Sequence, residues 1–265
     1  MTDQKSYQTI TYSKEDSVAR VTLNRPEIHN AFNEVMIQEL IDVFKSIAND
    51  NEVRVVVLTG NGKSFCAGAD LNWMKKVVDF SYEENLKESL GLAELFYLIY
   101  SLPKPTIARV NGAAIGGGAG LVAVCDLVIS SEKAKFSLSE VKLGLVPACI
   151  SPYEVRRVGE KNCRELFLTG ERIDAKKALE FGLANQVVPH DELDKAVDEL
   201  VKQLSNSGPN ALAMCKKLLQ NVPLMSFEEV KKYTAEMIAS LRMSDEGQEG
   251  MNAFLQKRKP NWVKE

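Results

Sequence analysis

Pro105-Thr106-Ile107-Ala108-Arg109-Val110-Asn111-Gly112-Ala113-Ala114-Ile115-Gly116-Gly117-Gly118-Ala119-Gly120 carries the sharpest structural signal in the chain. Its first six residues are apolar and β-branched enough to read as a buried strand. The small residues after them let a ligand or a second backbone approach closely. A helix that starts there leaves N–H groups unpaired, with the positive end of the helix dipole behind them. A second segment of the same kind, Ser64-Phe65-Cys66-Ala67-Gly68-Ala69-Asp70-Leu71, follows the near-continuous apolar run 53–59. Such a run suits a sheet covered on both faces. One helix start can bind an anion. Two that converge can hold an oxyanion between two N–H donors. Tight packing turns would leave the same spacing, so both readings stay open at this point. Gly118 to Ala123 also fits G-x-G-x-x-A, but Asp126 ends the segment after barely two turns. A dinucleotide site needs a long helix directly after its strand, so that reading is set aside.

Outward from these segments the chain alternates strand and helix. Residues 9–12 and 18–23 form a hairpin, with Lys14-Glu15-Asp16 between them. Asn33 caps a helix with apolar residues at Met36, Ile37, Leu40, Ile41 and Phe44. Ser81 with Glu84 is a capping box that opens a long helix. Residues 126–130 and 134–137 are further strands. After about residue 150 the pattern turns helical. Ser151 with Glu154 has capping-box spacing, and Pro152 stands at a first helical position. Leu193, Ala196, Val197, Leu200, Val201 and Leu204 form one helical stripe; Ser226 with Glu229, and Ser244, start two more helices. The division expected is 1–200 for an α/β core and 201–265 for a helical end.

Composition narrows the function. With 45% hydrophobic and 26% charged residues in 265, a sizeable core forms and disorder is excluded. A net charge of -3 offers no basic excess for nucleic acid. Met1-Thr2-Asp3-Gln4-Lys5 lacks the apolar core of a signal peptide, and residues 113–130 are too Gly-rich, with Asp126, for a membrane helix. Five scattered Cys without a CxxC read as reduced cytoplasmic thiols and give no metal site. Two His, His29 and His190, leave a Ser-His-Asp triad or a multi-His metal site almost no material. His190, at a helix start, reads as a surface residue.

Phe136-Ser137-Leu138-Ser139-Glu140-Val141-Lys142-Leu143-Gly144 adds a lone carboxylate amid apolar residues. Such a group tends toward a raised pKa, which suits proton transfer near neutrality. A surface Glu140 paired with Lys142 is the plainer alternative.

Taken together and in this order, the three segments, with Cys125-Asp126, resemble the crotonase (enoyl-CoA hydratase/isomerase) superfamily from about Leu23-Asn24-Arg25-Pro26 to Lys257-Arg258. The resemblance implies an α/β fold: a spiral of ββα turns with a helical C-terminal trimerisation region. It implies an oxyanion hole made by the N–H groups of Ala69 and Gly117, and proton transfer by Glu140. It implies that Ile28, His29, Ala31, Ala67 and Leu71 cradle coenzyme A, with Gly68, Gly116 and Ser139 beside the thioester. Asp70 resembles the cap of the following helix. Trp73 and Met74 face the acyl pocket or the core. Phe254 and Lys257 match residues that close over coenzyme A, Lys257 as a point charge for phosphate. Coenzyme A enters as part of the substrate, and no separate cofactor is implied. The expected assembly is a homotrimer or a dimer of trimers.

Two departures bear on the reaction. Hydratases with two glutamates carry the first two residues after the Gly triplet, where this chain has Gly120. The turn after Pro147 reads Ala148-Cys149-Ile150-Ser151-Pro152-Tyr153. With Asn72-Trp73-Met74, that pattern is most similar to a bacterial branch labelled methylglutaconyl-CoA hydratase. The resemblance therefore implies hydration of a 2-enoyl-CoA, with double-bond isomerisation as the nearest alternative and non-catalytic acyl-CoA binding as a third.

Overall fold

The structure is a computed structural model that describes residues 6–263; the N-terminal stretch Met1–Lys5 lies outside the described residues. The chain opens with β1 (Ile10–Glu15) and β2 (Val18–Leu23), then α1 (Glu34–Asn49), β3 (Val55–Gly60) and β4 (Ser64–Cys66). Next come α2 (Leu71–Val78), α3 (Tyr82–Ser101), β5 (Thr106–Val110), β6 (Ala113–Ile115) and α4 (Gly117–Val124). β7 (Leu127–Ser131), β8 (Lys135–Ser137), α5 (Ser151–Thr169), β9 (Arg172–Asp174), α6 (Ala175–Glu180) and β10 (Gln186–Val188) follow. The chain ends in α7 (Leu193–Ser205), α8 (Pro209–Asn221), α9 (Phe227–Met243) and α10 (Asp245–Leu255).

Two sheets share the strands. The larger runs β1-β2-β3-β5-β7-β10 and the smaller β4-β6-β8-β9. Within them only the β1–β2 and β8–β9 pairs are antiparallel. Each pass of the chain lays one strand in the large sheet, the next in the small sheet, and then a helix. β3-β4-α2, β5-β6-α4 and β7-β8-α5 are three such turns, which is the ββα spiral.

The apolar run in β3 has its reason in this layering. Alternate residues of a strand face opposite sides. Val56 and Leu58 enter the main core with α1 and α3, while Val55 and Val57 meet Ile107, Ile129, Leu193, Ala196 and Val197 beneath α7. Both faces are covered, so no polar alternation survives. The α7 stripe expected from the sequence supplies that second cover.

The caps at Asn33, Ser81, Ser226 and Ser244 form as the sequence predicts. Three details differ. The hairpin turns at Asp16 and Ser17, both at positive φ, so Lys14 and Glu15 belong to β1. Residues beyond 150 are not purely helical: β9 joins the small sheet and β10 the large one. The Ser151–Glu154 capping box does not form. Ile150 occupies the cap position without a side-chain bond, Ser151 Oγ donates to the Ala148 carbonyl, and Glu154 is fully buried. The cysteines described are all free, and no helix among the described residues is long and apolar enough to cross a membrane.

Candidate active site

β4, β6 and β8 are successive parallel neighbours in the small sheet. Their C-terminal ends therefore lie along one edge, the usual place for ligands beside parallel strands. Ala69 follows β4, Gly117 follows β6 and Glu140 follows β8. The three segments singled out in the sequence meet at this edge.

The Ala69 donor is aimed by its neighbours. Phe32 N–H donates to the Gly68 carbonyl and Asp70 N–H to the Phe32 carbonyl, both at 2.7 Å. In such a parallel bridge the opposed residue, Ala69, points its own N–H the other way. Ala69 is exposed, and its N–H has no acceptor among the described hydrogen bonds. Asp70 caps α2, accepting from Asn72 N at 2.7 Å and Trp73 N at 3.4 Å. It also pairs with Arg25 at 2.7 Å, nearly shut off from solvent. Burial pushes the Asp70 carboxyl up, but Arg25 and the two N–H groups outweigh this and hold it below the ordinary value. Asp70 is thus a fixed anion that clamps the loop.

Gly117 is the first residue of α4, so its N–H has no partner within the helix. Gly116 before it sits at φ 53°, a left-handed conformation open to glycine. A Cβ on Gly117 would lie 2.9 Å from the Phe32 ring. A Cβ on Gly118 would lie 2.2 Å from the Cys66 carbonyl oxygen. Phe32 thus holds the first helix start through its backbone and touches the second through its ring. Sequence reading missed Phe32 and Arg25, since one passes for a core aromatic and the other for a surface cation.

Glu140 opens a 3-10 turn, Glu140–Leu143, after half-buried Ser139. Its Oε1 lies 3.1 Å from the position a Gly116 Cβ would take. Its Oε2 is buried without a hydrogen-bond partner among the described residues. Burial raises its pKa, opposed by its own backbone N–H. The pairing with Lys142 does not form; Lys142 is exposed. The side-chain space above Gly120 is filled: a Cβ there would lie 2.2 Å from Ile150 Cγ2 and 3.0 Å from Phe96.

The remaining candidates are placed as follows. Ile28 ends a 3-10 turn, Pro26–Ile28, and His29 after it is exposed at φ 56°, its Nδ1 3.0 Å from Ser64 Oγ. Ala67 N–H donates to the His29 carbonyl at 3.0 Å, and Arg25 donates to the Ala31 carbonyl at 2.8 Å. This ties the Ile28–Ala31 loop to the first helix start. Leu71 is 74% exposed beside it. Trp73 packs on the core, its indole N–H buried and unpartnered. Phe254 is exposed in α10, and neither it nor Lys257 reaches the other site residues by any described hydrogen bond or ion pair. His190 is exposed, with Nδ1 3.0 Å from Ser131 Oγ. A recess of about 560 Å³, lined by Tyr100, Asp126, Tyr153, Arg157 and Lys216 among others, includes none of Ala69, Gly117 and Glu140.

The close contact at Gly118 yields a structural prediction. Gly118→Ala forces its new methyl against the Cys66 carbonyl and should destabilise by about 1–3 kcal/mol, as overpacking does. Urea denaturation measures it; an unshifted midpoint would mean that β4 and α4 do not touch in solution.

Comparison with known proteins agrees with this geometry. The sequence model of the family described as "Enoyl-CoA hydratase/isomerase" matches residues 13–265. A Thermus thermophilus protein named for enoyl-CoA hydratase is 40% identical over 245 residues, covering 92% of this chain and 97% of its own. A solved enoyl-CoA hydratase from Shewanella pealeana is 42% identical, with TM-score 0.93 and 96% of each chain covered. A Legionella pneumophila structure named for enoyl-CoA hydratase/isomerase (crotonase) is 48% identical, with TM-score 0.91, over 97% of this chain and 100% of that one. The spiral of two sheets, the two helix starts and this likeness along nearly the whole chain place the protein in the enoyl-CoA hydratase/isomerase family, within the crotonase superfamily.

Proposed function

We propose that this enzyme hydrates a 2-enoyl-CoA thioester, with Glu140 as its acid/base. The observation that carries the reading is the Glu140 carboxyl, packed against Gly116, the residue before Gly117, with one oxygen buried and unpartnered. The thioester carbonyl accepts from the N–H groups of Ala69 and Gly117. Glu140 takes a proton from water as its oxygen adds to C3. The electron pair of the C2–C3 double bond moves onto the carbonyl oxygen, giving an enolate held by the two donors. Glu140 then delivers its proton to C2, and the bonds balance with one carboxylate. Such donors act where charge develops and need no reorganisation at that moment. Ile28, His29, Ala31, Ala67, Gly68 and Leu71 line the proposed coenzyme A path. Ser139 sets the Glu140 turn. Phe254, near the end of α10, and Lys257, in the turn just past it, close over coenzyme A.

The relatives' names favour hydration. Isomerisation of a 3-enoyl to a 2-enoyl thioester is the second reading. Ile150 and Phe96 fill the space above Gly120, from which a second carboxylate would act, and moving a proton from C2 to C4 needs one base. An ultraviolet assay of the thioester-conjugated double bond separates the two: hydration removes the absorbance, isomerisation creates it. Within hydration, the Asn72-Trp73-Met74 and Ile150-Ser151-Pro152-Tyr153 pattern favours methylglutaconyl-CoA as the acyl group. The cytoplasm is the proposed location.

Glu140→Gln keeps shape but cannot titrate. It should lower turnover by roughly 10²–10⁴-fold with thioester binding nearly unchanged. In the wild type the base form is required, so activity falls as pH drops through the Glu140 pKa. Burial puts that acid limb above the ordinary glutamate range. Full hydration and isomerisation in Glu140→Gln would remove Glu140 from the mechanism.

Gly117→Pro removes one oxyanion donor at a helix position that tolerates proline. It should cost roughly 10²–10³-fold in turnover. Gly117→Ala meets the Phe32 ring equally but keeps the N–H, so the difference between the variants isolates the donor. Equal rates in the two folded proteins would show that this N–H holds no oxyanion.

The proposed assembly is a trimer or a dimer of trimers built on the C-terminal helices. Leu218 of α8 and Met237, Ile238 and Leu241 of α9 line an open apolar groove of about 390 Å³. Leu219 beside it is 74% exposed. Contiguous apolar surface of this kind favours association. Sedimentation should give the mass of three or six chains, and a stable monomer at micromolar concentration would defeat the assignment.

A further inference from the structure

Glu154 is fully buried in the first turn of α5, and neither carboxyl oxygen has a hydrogen-bond partner among the described residues. Its capping-box spacing with Ser151 has no structural counterpart, since Ser151 lies inside the helix. The nearest cation does not neutralise it. Arg157, one turn along α5, donates instead to the carbonyls of Leu183 and Cys125 and to the Asn185 side chain, at 2.8, 2.7 and 2.8 Å. Four residues before Glu154, Ile150 lies over Gly120 of α4, and the same α5 packs on the Glu140 turn.

The groups facing Glu154 are few. Arg157 and Glu140 both act on it, and its own charge acts on the Cys163 thiol further along α5. Lys142, on the Glu140 turn, is exposed, and α4 carries no ionisable side chain. Burial pushes the Glu154 carboxyl up to about 8, with Arg157 pulling down and the Glu140 charge adding to the rise. Two carboxyls that feel each other in a poorly solvated region lose their protons in two steps, and the less buried one ionises first. That one is Glu140, which is half-buried.

We propose that Glu154 is a positioning residue that acts through Glu140: a buried, protonated carboxyl group that leaves Glu140 as the one anion of the pair. The inference rests on the acid/base reading of Glu140. During the reaction a single negative charge passes from Glu140 to the enolate oxygen. A second anion beside that path opposes the enolate in a region where charges are weakly screened. Loss of the Glu154 proton therefore slows turnover.

The test is the pH dependence of kcat/KM in the wild type and in Glu154→Gln. The wild type should show an alkaline limb with an inflection near 8. One pH unit above that inflection its rate should have fallen by as much as about tenfold, the limit for a single titrating group whose deprotonated form does not turn over. Glu154→Gln should lose this limb, whatever its plateau rate. An unchanged limb, or a rate lowered equally at every pH, would overturn the proposal, the second result marking a packing role only. If Glu154→Gln does not fold, the folded Glu140→Gln protein carries the test by infrared spectroscopy. A protonated-carboxyl carbonyl band should be present at neutral pH and vanish as pH rises, at an inflection below that of the wild type because the Glu140 charge no longer adds to the rise. Its absence at neutral pH would also overturn the proposal. This spectrum needs no turnover, so its failure strikes the role of Glu154 alone, whereas full activity in Glu140→Gln strikes the acid/base reading.

Discussion

The site depends on the pair of backbone hydrogen bonds between Phe32 and the segment Gly68–Asp70. They fix a stretch of chain that has no helix or long strand of its own. Because both donors and acceptors of the bridge belong to Phe32, Gly68 and Asp70, the N–H of Ala69 is left over and directed outward. The Arg25–Asp70 pair then holds the end of the loop, while the Phe32 ring touches Gly117. Two N–H groups from segments nearly fifty residues apart in sequence are thereby referred to one residue. An oxyanion hole is useful only if its dipoles are in place before charge appears, and for the proposed hole the placement is done by the backbone and ring of one phenylalanine.

The spiral explains why these segments meet at all. A parallel strand pair needs a crossover, so each return to the small sheet enters from the same end. β4, β6 and β8 consequently finish along one edge, and whatever follows them is collected there. Two of the three are followed by helix starts and the third by the Glu140 turn. The meeting of Ala69, Gly117 and Glu140, the proposed donors and proton carrier, is thus a consequence of strand order, and their spacing in sequence reflects one spiral turn after another.

Much of this was legible in the sequence because the signals are local. Asn33, Asp70, Ser81, Ser226 and Ser244 cap helices through bonds reaching two or three residues, which spacing reveals. The β3 run shows its double cover in composition alone. β9 and β10 stayed hidden because three residues carry no period, and only pairing with a distant strand makes them strands. Ser151 and Glu154 show the converse. Their spacing matches a cap, but the burial of Glu154 by tertiary packing decides otherwise. Phe32 and Arg25 left no local sign because the contacts that brace the loop, with Gly68 and Asp70, span 36 to 45 residues. Glu140 could be named from its segment, while the choice between a surface pair and a buried base needed the contact with Gly116.

The absence of a carboxylate at Gly120 and the burial of Glu154 have one packing cause. With no side chain at position 120, Ile150 fills the space over α4 together with Phe96. Ile150 is also the residue from which α5 begins, so seating it there brings the first turn of that helix, and Glu154 with it, into the interior. The space over Gly120 is thus filled by apolar side chains, and a less polar surrounding raises the proton affinity of every carboxyl in it. Both Glu140 and Glu154 are shifted in that direction. A base with raised proton affinity abstracts a proton more readily and is matched better to work near neutrality. The same apolar closure that leaves no room for a second carboxylate thus strengthens Glu140 in its proposed role as a base, provided that its buried neighbour remains neutral.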